Sequence, residues 1–265
     1  MRPLIVLALS VIACTRPQDS SAPPVDLSRV DLVDLTHPFN ARTLYWPTSP
    51  TTFRHDQLSW GPSPGGYFYS AFALSTPEHG GTHLDAPIHF GEGKTAAEAI
   101  PLNRLVAPVV VIDVSAKADN NRDYLLTPED VAAFEQSHGR IGEGTIVLLR
   151  TGWSRHWPNR LAYLGDSTAG DASKLRFPSF GSDAARLLVE ERRIAALGAD
   201  VASIDGGAST DFMVHRIAAA ADVPGFENLT NLDRLPATGA ILVALPMKIE
   251  GGSGGPLRAI ALVPR

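Results

Sequence analysis

The sequence predicts an α/β protein built on a single-domain mixed sheet, and three observations carry that prediction. Short β-branched runs recur between Gly and Pro punctuation, at Val30–Leu35, Tyr67–Leu74, Val106–Val114, Thr145–Arg150, Ile241–Leu245 and Ala259–Val263. Two helix starts are marked, at Thr127 and at Ser182. The 265 residues include 23 Gly and 21 Pro, too many for a helical bundle or coiled coil and in keeping with strands joined by many turns.

Each element has a local cause. Val109–Ile112 and Ile146–Leu149 are apolar without alternation, the pattern of strands covered on both faces. Thr127-Pro128-Glu129-Asp130 supplies a cap residue, a Pro at the first helical position and two acids in the first turn, ahead of Val131–Phe134. Ser182-Asp183 precedes Ala184–Ala196, where Ala185, Leu188, Val189 and the Ile194–Leu197 group form a stripe near the helical period, so this stretch is read as a second helix. No internal repeat or interior linker breaks the chain, which gives one domain over residues 26–265.

Composition narrows the function classes. With 44% hydrophobic and 19% charged residues the chain can bury a sizeable core. A net charge of −5, and no basic run longer than Arg192–Arg193, give no electrostatic footprint for nucleic acid. The single Cys excludes an intrachain disulfide and a Cys-based zinc module. It stands at position 14, after one Arg and the apolar stretch Leu4–Ala13, too short to span a bilayer and read as a signal peptide over residues 1–13. Val11-Ile12-Ala13-Cys14 resembles the bacterial lipobox. The expectation is therefore an exported lipoprotein, its Cys14 lipidated and followed to residue 25 by a flexible Pro/Ser-rich tether, with acyl chains as its one membrane contact.

Three of the eight His fall in the eleven residues from His79 to His89, with Asp85 among them. Imidazole and carboxylate donors suit zinc, manganese or iron, and two His with one carboxylate leave coordination positions open for water or substrate. Gly80-Gly81 and Pro87 argue against a helix here. In an extended segment His83, Asp85 and His89 would share one face, and the Gly pair would swing His79 round to join them.

The segment His79-Gly-Gly81-Thr82-His83-Leu-Asp85-Ala-Pro87-Ile-His89 resembles the signature of the cyclase or kynurenine-formamidase-like metal-dependent hydrolases. Further similarities lie at Asp34–Pro38, Trp46-Pro47, Arg150-Thr151-Gly152, Ser203-Ile204-Asp205, His215, Glu227-Asn228-Leu229 and Pro246–Gly254, so the resemblance covers the chain past residue 25. It implies a swivelling β/β/α cyclase-like fold and a homo-oligomer. It implies that His79, His83 and Asp85 bind one divalent metal, zinc or manganese, and that Asp85, His215 and Glu227 bind a second. Isatin hydrolases carry a neutral amide at the Glu position and use one metal, so Glu227 favours two ions. His89 maps to the proton shuttle and Trp46 to the substrate-pocket wall.

A bound metal lowers the pKa of water to about 7, and a His of ordinary pKa near 6.5 can accept a proton and return it to a leaving nitrogen. The reading that follows is hydrolysis of a C–N amide bond, arylformamidase-type, on small N-formylkynurenine-like amides. The same site could act on isatin, another cyclic amide or a lactone. A reading of another class is an inactive metal- or ligand-binding lipoprotein.

Gly251–Gly255 contains Gly-x-Ser-x-Gly around Ser253, but neither an acid nor a His follows it, so a serine nucleophile is excluded and the run is read as a turn beside the pocket. His37, His55, His138 and His156 have no ligand spacing and are read as surface or hydrogen-bonded. Trp153 and Trp157 are read as core or interface. Asp205 either orients a ligand His or caps a turn.

Overall fold

The computed structural model describes residues 26–265. The segments expected to be a signal peptide and a tether, with Cys14 between them, lie outside the described residues. Twelve strands appear among them: β1 (Val30–Asp34), β2 (Arg54–Pro62), β3 (Phe68–Ser75), β4 (His83–Asp85), β5 (Val106–Asp113), β6 (Leu125–Leu126), β7 (Ile146–Arg150), β8 (Ser179–Phe180), β9 (Ala196–Ala199), β10 (Gly225–Glu227), β11 (Ala240–Pro246) and β12 (Gly254–Pro264). The helices are α1 (Leu102–Leu105), α2 (Ser115–Asn120), α3 (Pro128–His138), α4 (Arg160–Leu164), α5 (Ser182–Arg186) and α6 (Met213–Ala220). Among the described residues no helix is long and apolar enough to cross a membrane.

The main sheet runs β1-β12-β11-β5-β7-β9-β10-β4, and β4 also pairs with β12, which closes it into a barrel. β5, β7, β9 and β10 are mutually parallel; the other pairings are antiparallel. The unalternating apolar runs have the expected cause. Val109, Val111, Ile146 and Leu148 point into one core with Leu84, Phe226 and Leu242. Val110, Ile112, Val147 and Leu149 point into the other, against Val131, Phe134 and Leu188 on the helical side. α3 opens with the full capping box, Thr127 accepting from the Asp130 amide and Asp130 from the Thr127 amide.

The second expected helix ends early. α5 passes into a π-helical turn over Leu187–Glu191, and β9 begins at Ala196. The reversal between them is held by Arg192, paired with Glu135 at 2.7 and 2.9 Å, and by the Arg193 carbonyl, which accepts from Gly144 N. The apolar residues from Ala196 to Ala199 therefore form an inner parallel strand. Apolar periodicity does not separate a buried helix from such a strand.

Candidate metal centre and active site

Closure of the barrel builds the site. β4 contributes His83 and Asp85, two residues apart and on one face. β10 pairs with it antiparallel so that Glu227 stands opposite His83, while Gly254 of β12 stands opposite Asp85 on the other side. Gly254 is required there: a Cβ would sit 2.3 Å from the Leu84 carbonyl and 2.7 Å from the His79 ring. Gly81, at φ +59°, turns the chain from His79 into β4. α6 contributes the buried His215.

Asp85 is the hub. Its Oδ1 lies 2.6 Å from His79 Nδ1 and 3.1 Å from His83 Nε2, and its Oδ2 lies 2.9 Å from His215 Nε2. Glu227 lies 3.2 Å from His215 Nε2 and 3.5 Å from His83 Nε2, and its Oε1 accepts from Ile204 N at 2.9 Å. The residues singled out in the sequence are thus brought together. Their grouping differs from the expected triad: donor atoms within 4.8 Å of one another are those of His79, Asp85 and His89, and those of His83, Asp85 and Glu227. His79 is turned toward the first set because its Nε2 lies 2.8 Å from Ser253 Oγ and its ring stacks on His89 at 3.8 Å. His89 reaches it from a 3₁₀ turn over Pro87–His89 and not from an extended strand face, because the strand ends at Asp85 and Pro87 starts the turn.

The electrostatics call for a cation. Asp85, Glu227, His83 and His215 are all buried, and among the described residues the ion-pair partners of Asp85, Glu227 and Asp205 are imidazoles, with no Lys or Arg. Burial favours neutral imidazole at His83, yet Asp85 and Glu227 outweigh it and raise the pKa to about 9. Burial is likewise outweighed at His215, held well above its ordinary value by Asp205, Asp85 and Glu227. Glu227 is raised by burial and by the charge of Asp85. The pocket thus retains positive charge at its centre, and its nitrogen and oxygen donors fit zinc or manganese.

Neighbouring groups fix the ligand-type side chains. His83 Nδ1 lies 3.0 Å from the Gly81 carbonyl, leaving Nε2 to face the carboxylates. That carbonyl also accepts from Asn228 Nδ2, and Asn228 Oδ1 accepts from the buried Tyr163 hydroxyl. Asp205 meets both alternatives: its Oδ2 lies 2.6 Å from His215 Nδ1, and the carboxylate also accepts from the Val214 and His215 amides in the first turn of α6.

A cavity of about 260 Å³ opens over the cluster, its far wall made of Leu44, Trp46, Phe90, Leu164 and Phe212. Trp46 contacts Phe177 edge-on at 6.4 Å and Phe212 at 6.2 Å. Phe212, at φ +50°, packs on Phe90 at 5.2 Å. Phe90 and Phe212 escape a reading of the sequence because an isolated Phe carries no signal; adjacency to His89 and to the segment before His215 is the only hint. His89 is exposed, on the side that faces the cavity. Partial loss of hydration lowers its pKa to about 4, with the other imidazoles adding to that effect and Asp85 opposing it.

Other sequence readings divide. Ser253 is hydrogen-bonded to Glu78 and His79 and does not line the cavity. His37 is buried rather than superficial, stacked on Trp157 at 4.4 Å. Trp153 is core, its Nε1 donating to the Tyr163 carbonyl.

Comparison with known proteins agrees with this geometry. Residues 33–206 match the family described as "Putative cyclase". An isatin hydrolase of Roseibium aggregatum is 37% identical over 208 residues, 76% of this chain and 77% of that protein. A kynurenine formamidase of Salinibacter ruber is 26% identical over 235 residues, 86% of this chain and 96% of that protein. The solved isatin hydrolase A from Labrenzia aggregata, bound to benzyl benzoate, superposes with a TM-score of 0.82 at 36% identity, covering 90% of this chain and 95% of that one. The chain belongs to the cyclase family of metal-dependent hydrolases.

Proposed function

We propose that the protein hydrolyses the C–N bond of a cyclic aryl amide of the isatin type. The observation that carries this reading is an imidazole–carboxylate cluster facing an aromatic wall across one cavity. The higher identity to isatin hydrolase than to kynurenine formamidase supports taking the cyclic amide ahead of the N-formyl aryl amide, the reverse of the order suggested by the sequence alone.

His79, His83, Asp85, His215 and Glu227 would hold the metal, one or two ions of zinc or manganese. A divalent ion bound there supplies a Lewis acid that acidifies water and polarises the amide carbonyl. Trp46, Phe90 and Phe212 bind and orient the planar ring and exclude solvent. His89 is neutral at pH 7 and borders both the cluster and the cavity. It takes the proton of the attacking water and delivers it to the leaving nitrogen, so that no covalent bond to the protein forms. We further propose, from residues 1–14, that the enzyme is exported and anchored through a lipidated Cys14.

The test is turnover of isatin and of an N-formyl anilide by the full chain reloaded with zinc or manganese. Isatin is expected to be opened faster, and His89→Ala to slow it by about 100-fold or more. Failure on both substrates overturns the reading. Bound-metal stoichiometry of the Glu227→Gln variant addresses the second ion: a ratio equal to that of the parent removes Glu227 from the ligand set.

A further inference from the structure

A chain of contacts runs from Glu78 through Ser253 to His79. Ser253 N and Ser253 Oγ both donate to Glu78 Oε2, at 2.9 and 2.6 Å, and Oγ lies 2.8 Å from His79 Nε2. The other ring nitrogen, Nδ1, lies 2.6 Å from Asp85 Oδ1. The backbone pins the serine from both sides. Gly252 O accepts from Ala97 N at 2.9 Å, Ser253 O accepts from Ala86 N at 2.8 Å, and Gly254 pairs with Asp85 in the register of β12 with β4. Glu78, His79 and Ser253 are each half-buried.

Donor counting gives this chain a direction. An amide N–H can only donate, so the Glu78 oxygen that it shares with the serine hydroxyl is an acceptor. The hydroxyl has one hydrogen and directs it to that oxygen, which leaves only lone pairs toward the imidazole. His79 Nε2 therefore carries a hydrogen, and Nδ1 turns toward Asp85. His83 is held the other way round, with Nδ1 on the Gly81 carbonyl and Nε2 toward the carboxylates. The two imidazoles present different nitrogens because a side chain orients one and the backbone orients the other.

The contacts from Ser253 through His79 to Asp85 also have the connectivity of a serine-hydrolase triad. Two observations exclude a nucleophile: Oγ donates to Glu78 and not to the imidazole, and the cavity is bordered by His79 but not by Ser253.

We propose that Glu78 and Ser253 are positioning residues that hold a hydrogen on His79 Nε2 and so present Nδ1 as its ligand atom. This role rests on the reading of His79 as a metal ligand and is independent of the substrate. The test combines zinc affinity, by chelator competition, with long-range proton–nitrogen NMR correlation of the zinc-loaded full chain, His79 being assigned by its loss in His79→Asn. In the parent, His79 is expected to bind zinc through Nδ1 and to keep its hydrogen on Nε2. Ser253→Ala removes the acceptor, and Glu78→Leu frees the serine hydroxyl to donate to Nε2; each should lower zinc affinity about 10- to 100-fold. Glu78→Gln, whose amide oxygen can accept from both Ser253 donors, should retain most of the affinity, a rescue that a space-filling role would not show. Near-UV circular dichroism equal to the parent's shows that the metal-free variants are folded, and the parent's spectrum decides the tautomer even where a variant is not. Zinc bound through His79 Nε2, or unchanged affinity in Ser253→Ala and Glu78→Leu, overturns the proposal and leaves the metal centre standing. A parent that binds no zinc overturns the metal centre and the proposal with it. Labelling of Ser253 by a fluorophosphonate in the metal-free chain also overturns the proposal, since the serine would then be a nucleophile.

Discussion

His37 carries a pH dependence that can be worked out from its surroundings. The residue is 9% exposed, its ring lies on Trp157 with the planes 10° apart, and its buried Nε2 has no hydrogen-bond partner among the described residues. Burial lowers its pKa from 6.5 to about 4. The folded protein therefore holds His37 neutral at a pH where the unfolded chain has begun to bind a proton. Because the folded value is the depressed one, the stability tied to this group is complete above pH 6.5, falls as the pH drops toward 4, and changes no further below that. At about 1.4 kcal/mol per pKa unit the full loss is about 3 kcal/mol, a substantial part of the stability of a typical domain.

The assay is urea unfolding of the parent and of His37→Phe at pH 7 and pH 4. Phe preserves the stack on Trp157 and cannot be protonated. Other groups titrate in both proteins and cancel in the difference. The parent should lose about 3 kcal/mol more than the variant between the two pH values. Equal losses would refute the reasoning, because they would mean that the imidazole is solvated in the folded state.

Two further predictions concern the site. Asp205→Asn keeps the size of the side chain but removes the charge beside His215 Nδ1, so metal affinity should fall about 10- to 100-fold in a chelator competition while the thermal midpoint of the metal-free protein moves much less; unchanged affinity would leave Asp205 with the capping role alone. Phe212 holds an L side chain at φ +50°, which costs about 1–2 kcal/mol, so Phe212→Gly should be more stable than Phe212→Ala by about that amount, with both variants showing a raised KM for aromatic amides. The opposite order of the two thermal midpoints would exclude the strain.

The legibility of this fold follows the range of the forces involved. β5 and β7 could be read because burial on both faces removes alternation, and that pattern is local. The start of α3 could be read because Thr127 and Asp130 make the cap within four residues. β9 could not, since Ile194–Ala199 is as apolar as the helical stretch before it, and its state is decided by Arg192 and Glu135, 57 positions apart. The short β4 and β10 escape for a related reason. Each is three residues long, made partly of the polar side chains that the site requires, and held as a strand by neighbours distant in sequence.

The same distinction divides the site itself. His79, His83, Asp85 and His89 lie within eleven residues, so their spacing is visible even though the extended geometry assumed for them stops at Asp85. His215 and Glu227 are ordinary residues in sequence and enter only through family resemblance. What makes them members of the cluster is register: β10 against β4 sets Glu227 opposite His83, and Asp205 at the end of a loop aims His215 at Asp85. The aromatic wall is further still from any local signal. Trp46, Phe90 and Phe212 come from three separate segments, and their contacts of 5.2 and 6.2 Å exist only once the barrel has closed. The proposed catalytic cluster is thus partly legible in a short motif, while the wall that faces it exists only in the tertiary structure.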